Sequence, residues 1–575
     1  MNTVLRRSLF AAALLAAGLA FAADPVAPAP ATPTLRLPDV KVTGTPDLAA
    51  PESWRYARIE GFEVLSNATD KTTRSLLGDF QKFRQGIRLI WPAPPKPLAS
   101  AAIIICAKKN KFDAFLPATA TAADELNKVS LLLRNREQVA IVVDLEADRI
   151  AIDDSRTMAD TNASSVEFSV DSSSQLYRQY VHYLLSQVDV RPPAWLEEGL
   201  AQIVMDIEVN DTSLIYGKVN TTKGAASGGQ AADSDANDPT LNTDAIVGEQ
   251  PFNVVLQHQK LIPMDQFLAI THDSPEAQNP LGNNLWAKQA YALVHFCLFG
   301  ENLRHKDALV LFLSRIAREP VSEALFKECF KVGYADMNKE LRGYILYTKH
   351  KYQKYALMPD DKLGASDVTL RDATPAEIGI IKGDALRLAG HADTANTAYA
   401  DGYLRGDRSA PLLAGLGQTE AAAGHTERAR ELLEAGVKAG VNRPSAYVAL
   451  AQLRFAHFTS DPAKLDSGQV GAVLMPLFNA RKNPPPLPET YELIAATWAK
   501  SAAAPTGDNL AVLDEGIKAF PRDTALAAAT IQLYSSIGMA AKANAIGQFS
   551  LKYTDTDGKI RLQGVLAALP PPSAK

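Results

Sequence analysis

The string Ala389-Gly390-His391 returns 34 residues later as Ala423-Gly424-His425, and Ala395 and Ala429 stand in the same register behind it. A fixed period constrains a fold more tightly than any single motif, because each unit is too small to bury its own apolar face. Neighbouring units must stack and share a core. The flanking segments are rich in Ala and Leu. "SAYVALAQLRF", "ETYELIAATWA" and "TALAAATIQLYSSIG" supply further helices of the same kind at less regular spacing. Residues 370–568 are therefore expected to form an all-α array of degenerate helical repeats.

Upstream the periodicity changes. "WRYARIEGFEVLSN" alternates as a strand does, with Tyr56, Phe62 and Val64 among its strand formers, and "TDKTTRSLLGDFQKFRQGI" puts Leu76, Leu77, Phe80 and Phe83 on one side of a helix. "LASAAIIICAKK" is a buried strand, and "QVAIVVDL" and "DRIAIDD" are two more. Strands and helices interleave to about residue 170, and helix dominates from there to about 357. The expected fold class is α+β: a mixed α/β part and a helical part within residues 54–360, then the array. Residues 217–245 are rich in Gly, Ser, Asn and Asp without any period, which predicts a mobile surface insertion.

The period of 34 is that of the tetratricopeptide repeat, which the C-terminal part resembles. The resemblance implies that the array binds a peptide or a partner protein.

The N-terminus sets the expected compartment. Arg6 and Arg7 precede an apolar run over residues 8–22 that ends in Ala20-Phe21-Ala22, a small-residue cleavage site. The run is too short to cross a membrane, and no other stretch qualifies. Residues 1–22 are expected to be a cleavable signal peptide and 23–53 a Pro- and Ala-rich linker. The protein is then exported, periplasmic or secreted, without a transmembrane anchor. The formal net charge of −5 carries no basic block, which argues against nucleic acid as a partner. Export permits disulfides, yet there are three cysteines: Cys106 reads as a buried thiol, while pairing of Cys297 with Cys329 stays open.

The chemistry-bearing stretch is "SQLYRQYVHYLLSQ", residues 174–187, followed after Pro192-Pro193 by "AWLEEGLAQIVMD". At helical spacing, Gln175, Arg178, Gln179, His182 and Ser186 share a face within about 100°. Read alone, such a stripe is an ordinary solvated helix face. The pair of segments, however, resembles the peptidase MA-like group of gluzincin metallopeptidases. Those proteins carry H-E-x-x-H on one helix and P-x-W-x-x-E-G-x-A on the next. Pro193, Trp195, Glu198, Gly199 and Ala201 stand where the second block has them. The resemblance spans roughly residues 55–350. It implies a zincin-like helical part with His182 and Glu198 as two former zinc ligands, and with Trp195 and Gly199 shaping a cleft.

The first block departs from that pattern. Arg178 takes the place of the first histidine, and a guanidinium has no lone pair to give a metal. Gln179 takes the place of the general base, and an amide does not take a proton from water near neutral pH. No metal and no cofactor are expected, and Arg178, His182 and Glu198 read as a vestigial site. Arg178 either fills the vacated position and pairs with Glu198, or points to solvent. The expected function is an exported, catalytically inactive peptidase-like protein that binds peptides or partners through its cleft and its repeats. Two alternatives stand beside it. One is an active zinc metallopeptidase using His182, Glu198 and an unrecognised third ligand; the other is a scaffold acting through the repeats only.

Overall fold

The computed structural model describes residues 52–569 apart from 91–99, 108, 120–128, 147–149, 152–166, 169–170, 189–190, 211, 220–250, 280, 318, 348, 359–362, 365 and 462. The expected signal peptide, nearly all of the linker and most of the expected insertion lie outside the described residues.

The stretch expected as one strand is two. Strand β1 (Arg55–Ile59) and β2 (Phe62–Ser66) form an antiparallel hairpin that pairs Ile59 with Phe62, turning at Gly61 with φ 77°. The apolar alternation runs on through both arms, so the turn leaves only the Glu60-Gly61 dipeptide as its signal. Helix α1 (Asp70–Ile90) then carries the chain to β3 (Ser100–Cys106), which lies parallel to β2. A short α2 (Lys109–Asp113) leads to β4 (Ser130–Arg134) and β5 (Gln138–Asp144), an antiparallel pair in which β5 runs parallel to β3. Of the "DRIAIDD" segment the described residues Ile150–Ala151 form a strand, β6; it pairs with β7 (Glu167–Phe168) outside the main sheet.

Helices α3 (Ser172–Ser186) and α4 (Ala194–Met205) follow. Next come β8 (Glu208–Asn210) and β9 (Ser213–Tyr216), then the helices α5 (Phe252–Leu256), α6 (Met264–Ala269), α7 (Leu285–Phe299), α8 (Lys306–Ile316), α9 (Glu323–Phe330) and α10 (Tyr334–Ile345). Strand β10 (Gln353–Ala356) closes a small sheet on β9, and β11 (Arg371–Asp372) returns to pair with β1. The main sheet thus has the order β11-β1-β2-β3-β5-β4.

Both faces of this sheet are buried, which is what the unbroken runs "AIIIC" and "VAIVV" require. Val64, Ile103, Ile105, Ile141 and Val143 face one core with Leu77, Phe80, Phe83, Leu176 and Tyr180 of α1 and α3. Leu65, Ile104, Cys106, Ala140 and Val142 face the other. There they meet Ile381, Ala385, Leu386 and Tyr399 of the first repeat. The array and the α/β part therefore share a core.

The array itself consists of the helix pairs α11 (Pro375–Leu388) with α12 (Ala392–Leu404), α13 (Ala410–Ala422) with α14 (Thr426–Lys438), and α15 (Pro444–Phe458) with α16 (Ser467–Ala480). Two more pairs are α17 (Pro488–Lys500) with α18 (Gly507–Ala519) and α19 (Thr524–Ser536) with α20 (Ala540–Ser550), and α21 (Thr556–Ala567) ends the described array. The 34-residue register is visible at atomic level. Gly390 and Gly424 end their helices in the left-handed region, at φ 91° and 81°, as the C-terminal cap demands. The next amides bond back alike, His391 N to Leu386 O at 2.9 Å and His425 N to Glu420 O at 3.0 Å. Gly383 and Gly417, also 34 apart, give room to Tyr399 and Leu433, themselves 34 apart and fully buried; a Cβ would sit 2.6 and 2.8 Å from those side chains. Ala395 and Ala429 are equally buried.

Among the described residues no helix is long and apolar enough to cross a membrane. All three cysteines are free and buried, so Cys297 and Cys329 do not pair.

Candidate functional site

Asp171 caps α3 by accepting the amide of Ser173, and Pro193 starts α4 after a break that sends the chain back alongside α3. The stripe on α3 is not a solvated face. Gln175, Arg178 and Gln179 are all buried against α4 and the sheet, with Gln175 at 0% exposure. Buried polar groups need partners, and here the partners form a continuous chain of charges.

Of the two placements open to Arg178, the structure has the paired one. Its Nη2 donates to Glu198 Oε2 at 2.7 Å and its Nε to Oε1 at 3.2 Å, a two-pronged contact that fits the guanidinium fork. Nη2 also reaches the carbonyl of Asn279 at 3.3 Å. Glu198 accepts two further bonds, from His182 Nε2 at 3.1 Å and Gln202 Nε2 at 2.7 Å. The other ring nitrogen of His182, Nδ1, lies 2.8 Å from Glu197 Oε1. Glu197 is in turn held by Arg191 Nη2 and Nε, at 2.8 and 2.9 Å, and by His272 Nε2 at 3.1 Å. Lys288 Nζ donates to Gln202 Oε1 at 3.0 Å.

Both ring nitrogens of His182 face carboxylate oxygens, which favours the protonated ring, since ionised carboxylates can only accept. Burial opposes that charge, and the bonds to Glu197 and Glu198 more than offset it, raising the pKa. Burial likewise opposes ionisation of Glu198. The charge of Arg178 and the bond from His182 overcome it and hold the carboxyl far below the usual range. Glu197 is lowered in the same way, against its burial, by His182, His272 and Arg191.

These residues do not fit a zinc ion. Each oxygen of Glu198 already accepts two N–H donors, and a permanent cation lies at hydrogen-bond distance from both. Among the described residues no group of three or more His, Cys, Asp or Glu side chains is arranged to hold a metal. Gln179 donates its amide to Ser130 Oγ on the edge strand β4 at 3.0 Å.

Gly282 takes φ 63°, and a Cβ there would collide with Glu198 Oε1 and lie 2.9 Å from Arg178 Nε. Its carbonyl accepts from Gln202 at 2.7 Å, so Gly282, like Asn279, lies against the charge chain. Trp195 and Gly199, expected to shape a cleft, are packing residues instead. Trp195 is buried near Phe267, with ring centroids 6.4 Å apart, and a Cβ on Gly199 would lie 2.5 Å from Val294 Cγ2 where α4 crosses α7.

Glu197, Arg191, His272, Gln202 and Lys288 were not anticipated from sequence. The adjacent acids Glu197-Glu198 in an otherwise apolar helix were the available signal, since two buried carboxylates require cations nearby. His272 and Lys288 leave no local trace.

The fold and site define a class: an α/β domain with a buried Arg–Glu–His–Glu–Arg chain, fused through a shared core to an array of helical repeats. No protein-family model matches the chain, and no curated protein does. Solved structures similar to part of it include the following three. YrrB, described as a TPR protein with an unusual peptide-binding site, is 12% identical with a TM-score of 0.26, over 32% of this chain and 89% of its own. A thermophilic TPR protein of Thermus thermophilus is 19% identical with a TM-score of 0.24, over 33% and 97%. The MamA protein is 18% identical with a TM-score of 0.26, over 34% and 98%.

Proposed function

We propose that this chain is a binding scaffold whose helical array holds a peptide or partner protein. The observation that carries the reading is the stack of five helix pairs, the first two in 34-residue register, because such arrays offer extended binding surfaces. The test is selection of peptides from a random library against the whole chain, followed by calorimetry. Binding should fall on charge reversal of array residues and stay unchanged in Arg178→Met/Glu198→Leu. The opposite pattern would move the function to the first domain.

A second reading is favoured by the two-pronged contact between Arg178 and Glu198: the first domain is peptidase-like in ancestry and does not turn over peptides. Zinc content of the purified protein tests it. About one equivalent per chain, lost in His182→Ala, would reinstate the active metallopeptidase. Export through a cleaved leader belongs to the same proposal and rests on residues 1–22; a mature N-terminus at Ala23, found by N-terminal sequencing, is the expected result.

A further inference from the structure

The turn between β4 and β5 leaves its own domain and enters the array. It is built locally: Asn135 Oδ1 accepts the amides of Glu137 and Gln138 at 2.9 and 2.7 Å. What it presents is Glu137, which is only 5% exposed. No cation of its own domain bonds to this carboxylate among the described contacts. Instead Oε2 accepts the backbone amide of Ser445 at 2.9 Å, and Oε1 accepts the Ser445 hydroxyl. Ser445 lies in the first turn of the fifteen-residue α15, where amides are unused by the helix and the dipole favours an anion. Gln418 of α13 donates to the same hydroxyl at 2.6 Å and so orients its proton towards Glu137.

A second observation points to the same acid. Arg443 is 7% exposed; it puts Nη2 on Asp384 of α11 at 2.8 Å and leaves Nη1 without a partner. Burial opposes its charge, and Asp384, Tyr399 and Glu137 more than offset that. Arg387 of α11 bonds to Gln138 on the same turn, and the guanidinium of Arg136 lies 5.4 Å over the ring of Phe520 beyond α18. Helices α11, α13 and α15 thus converge on one turn, with an amide, a hydroxyl and a buried arginine around one carboxylate.

We propose that this face of the array is a receptor for an acidic side chain carried on a tight turn, and that Glu137 is its resident ligand. While Glu137 is seated, the receptor is closed to any other acid, so an external partner uses a different surface of the array.

Chemical rescue in the whole chain separates a receptor from mere packing. Glu137→Ala is expected to lower the urea midpoint, and sodium acetate to restore at least half of the loss by mass action, with sodium chloride at matched ionic strength restoring none. In Glu137→Ala/Ser445→Ala the rescue should vanish. A loss that acetate does not repair, or a repair indifferent to Ser445, would overturn the proposal. Should Glu137→Ala fail to fold, Glu137→Gln keeps the shape and removes the charge. Its midpoint should fall below that of the parent, and an unchanged midpoint would overturn the proposal equally.

Discussion

Replacing Arg178 by Met keeps an unbranched side chain of similar reach and removes the charge. Glu198 would then keep two donors, His182 and Gln202, and lose the two N–H bonds from the guanidinium. Glu198 is 2% exposed, so water does not replace what is lost. Removing one partner of a buried ion pair costs about 3–5 kcal/mol, whereas replacing both by apolar groups of similar volume is often close to neutral. Arg178→Met should therefore be much worse than Arg178→Met/Glu198→Leu, an ordering that no additive account of two lost contacts gives. Urea unfolding at pH 7, followed by the fluorescence of the buried Trp195 and Trp286, measures it. A single mutant within about 0.5 kcal/mol of the parent would place Arg178 in the class of exposed substitutions and refute the reasoning.

Other expectations follow from the same geometry. The pKa of His182 is raised on folding, so its contribution is complete below the unfolded value of about 6.5 and is lost as pH rises through the folded value; urea midpoints from pH 6 upward should show a decline that His182→Gln lacks. Gly282→Ala strains a left-handed residue and meets Glu198, and should cost about 1–3 kcal/mol, with faster amide exchange in residues 281–284 as the readout. Tyr399→Ala removes a ring shared by the array and the sheet and should cost about 3–5 kcal/mol in one cooperative transition; two separated transitions in calorimetry would contradict a common core. A chain ended near residue 370 should bind a dye for exposed apolar surface, because Leu65, Ile104 and Val142 lose their cover; a monomeric, dye-silent fragment would show that the two parts are independent.

The charge chain was partly legible in advance. Residues 178, 182 and 198 follow from helical spacing and from the motif, because positions four apart on α3 share a face and Glu198 falls early on the next helix. The role of Glu197 was hidden, since its partners Arg191 and His272 approach from a loop and from a segment 75 residues away. The packing of Trp195 was hidden for a related reason. Whether a tryptophan lines a cavity or fills one depends on what crosses it, and α6 and α7 are distant in sequence.

Local physics can be read along the chain. The apolar runs announce a sheet covered on both faces, the glycines after α11 and α13 announce helix ends, and their 34-residue spacing announces a stack. These features depend on residues a few positions apart, whose energies are fixed by backbone geometry and periodicity. Only the tertiary structure decided what covers the second face of the sheet, which cations meet Glu197, and where Glu137 goes. The contacts of His272 with Glu197 and of Ser445 with Glu137 join segments 75 and 308 residues apart, and burial makes such pairs strong while leaving no periodic signature in the chain.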